Sequence, residues 1–252
     1  MSGAELEAWL DAHFWWSPLA DSGLVVQNDL TPAAWLESKL VQRSYEVHMT
    51  APRGYESYAR MFFPFTEHSR KVGDTWVGGE HITWRVLAER NGRTIHPLVE
   101  QEKIDIGSEG KDKLNDVENS LVLEQFEALL PILVRHTSST NGWFLLWDGF
   151  GDLDHAFLDR FEKVVDPFRS YYLLKGPLSA FAEFSNDPSF WWPDDRAWCY
   201  SGDVDFHWSY LAGSAACIDE VLGVPILDAV QTEPDNPAHF GMDVINPDPD
   251  GP

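Results

Sequence analysis

Trp143-Phe144-Leu145-Leu146-Trp147 is the run on which the reading of this chain turns. Its continuous apolar character, closed by Asp148-Gly149, is too short for a helix and suits a strand covered on both faces. The neighbouring segments supply the covers. Upstream, Val122, Phe126, Leu129, Leu130 and Leu133 recur at helical spacing, which predicts a core helix over 120–135 kinked at Pro131. Asn115 followed by Glu118 resembles a capping box before it. Downstream, Asp152 is placed to cap a helix carrying Leu153, Phe157, Leu158 and Phe161. Strands are expected over 170–174 and 196–206, and helices over 177–184 and 213–222, the last stopped by Gly223.

Further towards the N-terminus the pattern predicts a helix over 5–16 and a short strand over 23–28. Thr31-Pro32 opens a helix over 33–41, and strands follow over 44–50 and 57–65. Thr83 caps a helix through Trp84, Val86, Leu87 and Ala88 that ends at Asn91-Gly92. Strands follow one another without an intervening helix, so the expected class is α+β, with a mixed or mainly antiparallel sheet covered by helices. The expected organisation is a single globular domain over 1–224. It has room for lobes at 1–102 and 116–224 around a polar linker at 103–117. A Pro/Asp-rich C-terminal extension occupies 225–252, and its last residues, 246–252, have too little apolar surface to offset their ordering entropy.

The chain has 252 residues and a formal charge of −23, from 18 Lys+Arg against 41 Asp+Glu. Clustered cations for phosphate are lacking, which argues against direct nucleic-acid binding and against docking on an anionic membrane. No apolar run approaches the ~18 residues of a spanning helix. The N-terminus lacks a basic region ahead of its first apolar stretch, so no signal peptide is expected. With only Cys199 and Cys217, and no CxxC pair, the expectation is a reduced, cytoplasmic protein. After Arg196 there is no Lys or Arg, while ten carboxylates follow. Solubility through self-repulsion explains such a bias, and so does a surface that receives a basic protein partner.

The glycine-rich nucleotide loops, HExxH and GxSxG are absent. The densest polar and aromatic stretch is residues 190–210. If residues 203–208 are extended, Asp203, Asp205 and His207 share one face, a set able to hold a divalent cation or to work as acid and base. Any half-buried strand with its polar face in water shows the same alternation. Asp194-Asp195-Arg196 reads as a structural Arg–carboxylate pair or, less simply, a substrate clamp. Trp191, Trp192, Trp198 and Trp208 form either a stacking platform for a ligand or part of the core. Asp148 sits where a strand gives way to a helix, a common place for a binding residue. No cofactor is implied, and the metal set at Asp203, Asp205 and His207 is a weak alternative.

Tyr58-Ala59-Arg60, Trp84 through Gly92-Arg93, Arg135-His136-Thr137, Trp147-Asp148-Gly149, Gly176-Pro177-Leu178 and the segment from Trp192 to Cys199 occur in that order. In these the chain resembles an uncharacterised actinobacterial family of acidic, Trp-rich cytosolic proteins with a WPxDRxWC segment. The resemblance spans about residues 43–222 and implies a single cytosolic domain and no known activity. It also implies no histidine at the place of His207, which weakens the metal reading. Two functions remain open. One is an acidic protein-binding module, an inhibitor or immunity-like partner of a basic protein. The other is a hydrolase acting on a polar small molecule or sugar. A flat acidic face favours the first, a carboxylate-lined pocket the second.

Overall fold

The computed structural model describes residues 22–37, 39–40, 45–72, 75–105, 114–166 and 169–248. The helix expected over 5–16 lies outside them. The strands are β1 Val25–Val26, β2 Ser57–Phe62, β3 Phe65–Val72, β4 Thr75–Ile82, β5 Leu114–Val117, β6 Asn141–Trp147, β7 Lys163–Val165, β8 Ser170–Pro177, β9 Phe190–Pro193, β10 Cys199–Gly202, β11 Trp208–Gly213 and β12 Ala229–Thr232. The α-helices are α1 Ala34–Glu37, α2 Trp84–Arg90, α3 Gln101–Ile104, α4 Leu123–Arg135, α5 His155–Leu158 and α6 Ala215–Leu222. Nine strands form one sheet in the order β1-β8-β6-β9-β10-β11-β2-β12, with β7 also on β8, and β4-β3-β5 form a second. Every described ladder is antiparallel, so the fold is α+β as expected.

The two-residue period of a strand divides the core across the main sheet. Phe144, Leu146, Tyr172, Leu174, Trp191, Tyr200, Ala59 and Leu211 point to the face covered by α4 and α6. On the other face, Leu145, Tyr171, Leu173, Phe190, Trp192 and Cys199 pack under α1. Farther along that sheet, Tyr58, Phe62, Trp208, Tyr210 and Ala212 pack under α2 together with Phe65 and Met242. The central run at 143–147 is therefore buried on both sides. Within α4, Leu129 and Leu133 are fully buried while Leu130 is half-buried, and the helix runs through Pro131.

Several local expectations need correction. Thr83 does cap α2, accepting from the Val86 amide, and Gly92 takes φ +63° just beyond the helix. Asp152 caps nothing, because Asp154 accepts the Phe157 amide and Asp152 instead holds Ser185 and Asn186. Asn115 lies within β5, ahead of Glu118, and the α4 N-cap is Val122 with no side-chain bond. Residues 47–49 form a 3-10 turn rather than a strand. The strand expected over 196–206 is only β10, after which a turn leads into β11. The β3–β4 hairpin has no counterpart in the sequence reading, and β5 pairs with β3 inside the stretch read as a linker.

The segment set apart from Pro225 onward supplies β12, which pairs with β2. It also inserts Ala238 and Met242 into the core. Asn246, expected in an unburied tail, is 5% exposed because its side chain donates to the Thr94 carbonyl and to Asp243.

Candidate functional site

β10 separates the two acidic groups of the sequence reading. Asp194 and Asp195 precede it and Asp203 and Asp205 follow it, so they sit at opposite ends of one strand. At the first end the carboxylates fasten loops. Asp194 accepts from Trp143 Nε1 at 2.7 Å and from Lys175 at 3.2 Å. Asp195 accepts from Thr137, Ser138 and the Ala197 amide; burial opposes its charge, but these donors outweigh that and hold its carboxyl below the usual range. Arg196 takes φ +54° and lies over the Trp35 ring at 5.2 Å, with no ion pair to Asp194 or Asp195 among the described residues. Asp148 accepts from Lys163, which also bonds Asp159.

The aromatic platform is not available to a ligand. Trp191, Trp192, Trp198 and Trp208 are each at most 2% exposed. Trp198 donates to the Leu133 carbonyl and Trp208 to the Tyr210 hydroxyl, so both indole N–H groups serve the core.

At the other end, residues 203–207 form a turn, and the alternation that would have aligned Asp203, Asp205 and His207 is lost. Arg169, which precedes β8, donates through one nitrogen to Asp203 Oδ1 and Asp205 Oδ2, both at 2.9 Å. The guanidinium occupies the place that a cation bound by these carboxylates would need. Among the described residues only Glu46, His48 and Asp235 bring three possible ligand atoms within 4.8 Å of one another. Arg53 already contacts both His48 and Asp235 there, which disfavours a second cation.

The turn borders a polar pocket of about 240 Å³ that the sequence does not announce. The pairing of Ser201 with Phe190, and the bond from the Gly202 amide to the Ser189 carbonyl, draw residues 187–189 alongside 202–203. Asp187 and Asp203 thereby line one pocket, with Asn119, Asn186, Ser189 and the Phe63 and Phe150 rings. Asp187 Oδ2 accepts from the Tyr200 hydroxyl at 2.6 Å and from the Leu121 amide at 3.0 Å. Desolvation in this setting pushes its carboxyl up to about 6, and the two hydrogen bonds restrain the rise. The two carboxylates thus share a cavity in different surroundings, one desolvated and hydroxyl-bonded, the other joined to a guanidinium.

Asp187, Tyr200 and Arg169 were all missed. Asn186-Asp187-Pro188 carries a turn signal, and nothing local distinguishes that aspartate among 41 acidic residues. Arg169 had the better signal, as one of six cations in the C-terminal half. Cysteine chemistry has no foothold, because burial pushes the Cys199 thiol up and that of Cys217 to about 12. No helix is long and apolar enough to cross a membrane among the described residues. No known protein family, curated protein or solved structure matches the chain.

Proposed function

We propose that the protein is a hydrolase acting on a small polar, hydroxylated molecule held between Asp187 and Asp203. The carrying observation is the shared pocket, in which one carboxyl has been lifted to about 6 and the other is held by Arg169. A carboxyl with a pKa near the working pH is matched to proton donation. Asp187 gives its proton to the oxygen of the leaving group as the bond to that oxygen breaks. Asp203 accepts a proton from the water whose oxygen forms the new bond. Asn119, Asn186 and Ser189 supply the polar contacts that a hydroxylated substrate requires. Asp152 steadies Asn186 for that task.

The test is turnover of a panel of nitrophenyl glycosides and esters. Activity should show an ionisation near pH 6. Asp187→Asn should lower kcat by about 10²–10⁴-fold with an unchanged circular dichroism spectrum. Wild-type protein inert on the whole panel, or a fully active Asp187→Asn, overturns the reading.

The acidic protein-binding module is the second reading, favoured by the net charge of −23 and by exposed carboxylates such as Asp205 and Asp235. Against it, Asp203 is largely covered and shares Arg169 with Asp205, so this turn is no flat acidic face. Its mark would be capture of a basic protein that weakens steeply as salt rises. A cytoplasmic setting accords with either reading and is supported by the unpaired, buried Cys199 and Cys217.

A further inference from the structure

Several side chains around the polar pocket spend one polar atom on the protein and keep another free. Asp187 receives both of its hydrogen bonds, from the Tyr200 hydroxyl and the Leu121 amide, on Oδ2. Asp203 receives Arg169 and the Asp205 amide on Oδ1, each at 2.9 Å. Asn186 gives Nδ2 to the two oxygens of Asp152, 3.2 Å from each, which fixes the amide and leaves its own oxygen over. Asp187 Oδ1, Asp203 Oδ2 and Asn186 Oδ1 therefore accept no hydrogen bond among the described residues.

Ser189 carries a second, independent sign of a ligand. It is 4% exposed and borders this pocket, yet its hydroxyl makes no hydrogen bond among the described residues. Its carbonyl alone is used, by the Gly202 amide. A buried hydroxyl left without a partner costs free energy, and a ligand hydroxyl supplies the missing bond.

Such a wall selects for donors. Three acceptor oxygens and one hydroxyl pair with a molecule that carries several O–H groups close together. An ester presents chiefly a carbonyl, which those acceptors cannot bond. The Phe150 ring borders the same pocket, edge to face with Trp147 at 5.3 Å, and offers an apolar surface to C–H groups. A pyranose has both, O–H groups around its rim and C–H groups on its faces.

We infer that the polar pocket takes one pyranose ring of a neutral glycoside, held through its hydroxyl hydrogens. A cavity of about 240 Å³ suits a single ring rather than an oligosaccharide. The inference rests on the hydrolytic reading for its choice of pocket, and narrows the substrate from hydroxylated molecules in general to glycosides. It also places the transferable proton. Asp187 Oδ2 already accepts two hydrogen bonds, so Oδ1 holds the proton that passes to the glycosidic oxygen. That oxygen keeps the electron pair of its broken bond to the anomeric carbon. Water delivers hydroxide to the carbon and its remaining proton to Asp203.

Titration by saturation-transfer NMR with the methyl glycosides of glucose, galactose, mannose and xylose tests the assignment on the intact protein. At least one should bind. Its deoxyfluoro analogues, in which fluorine takes the place of one hydroxyl and cannot donate, should include at least one that binds tenfold more weakly. Ser189→Ala removes a hydroxyl that the fold does not use, and should weaken binding about three- to tenfold with an unchanged circular dichroism spectrum. No glycoside bound, fluoro analogues that all bind like their parent, or full affinity in Ser189→Ala overturns the inference. The two readings fail separately. Glycoside binding without turnover removes the hydrolase and keeps the site, whereas ester turnover without glycoside binding does the reverse.

Discussion

Two arginines, Arg60 and Arg169, show two ways in which this acidic molecule handles a cation. Arg60 sits in the middle of β2, on the face packed under α2, and is 0% exposed. Its guanidinium lies 3.8 Å from the centre of the Trp208 ring and 5.0 Å from that of Phe62. Its one hydrogen bond among the described residues is to the Pro97 carbonyl at 2.8 Å. Nε and one terminal nitrogen have none. Burial pulls its pKa down to about 10, while Tyr210, Glu100 and Asp243 favour the charge from beyond ion-pair distance. Arg169, by contrast, holds two carboxylates, Asp203 at the border of the polar pocket and Asp205 in solvent. The buried cation is held by rings and shape, the rim cation by opposite charge. Position in the sheet decides which: Arg60 shares a buried face of β2 with Tyr58 and Phe62, whereas Arg169 lies just outside a strand.

The contrast sets the order of expected effects. Arg60→Ala should be the most damaging, removing the group that fills the space over Trp208. A loss of about 3–5 kcal/mol is expected by urea denaturation at pH 7, the range for breaking a buried charged or large core contact. Arg60→Met keeps most of the volume and should cost less than half as much. Equal costs for the two would show that charge, not packing, holds this site.

Next comes the polar pocket. The folded pKa of Asp187, about 6, lies above its ordinary value of 3.8, so the folded state binds the proton more tightly. The associated stabilisation is full below about pH 4 and is lost as pH rises through 6. Asp187→Asn should therefore gain on the wild type by about 2–3 kcal/mol between pH 4 and 7. Parallel stability curves for the two proteins across that interval would contradict the assignment. The smallest effect belongs to Arg169→Ala, at most about 1 kcal/mol and less in 0.5 M salt, because Asp205 is solvent-exposed. A cost above that of Arg60→Ala would invert the comparison.

What could be read from the sequence follows the same division. The run at 143–147, the leucines of α4, the Thr83 cap and the Ser214-capped helix α6 were legible, because each depends on neighbours within one or two turns. The β3–β4 hairpin was hidden, since Glu67, His68, Arg70 and Lys71 break the apolar alternation that marks a half-buried strand. Asp203 and Asp205 were singled out as two ligands on one face of a strand, and that face does not form because the residues lie in a turn. Asp187 and Arg169 become neighbours of that turn only through the β9–β10 ladder and the Arg169 ion pairs. Such pairings depend on register between distant segments, and no local pattern encodes them. The same holds for Asp243, which accepts from His96 at 2.9 Å and from the Glu100 amide across more than 140 residues.

The placement of β2 has a consequence for how the chain acquires its shape. Both edges of this strand are closed by late arrivals, β11 on one side and β12 on the other. During synthesis, β2 emerges some 150 residues before either partner. For that interval Ala59 and Met61 lack the ladders that later bury them, and Arg60 lacks Trp208. This end of the sheet is thus set by long-range closure, the kind of contact that slows folding and lengthens the life of unpaired edges. A nascent chain of this design carries both edges of β2 unpaired until residues 208–232 have been made. Like-charge repulsion between neighbouring unfinished chains gives the −23 a second use, as a deterrent to edge-to-edge association before the sheet is complete.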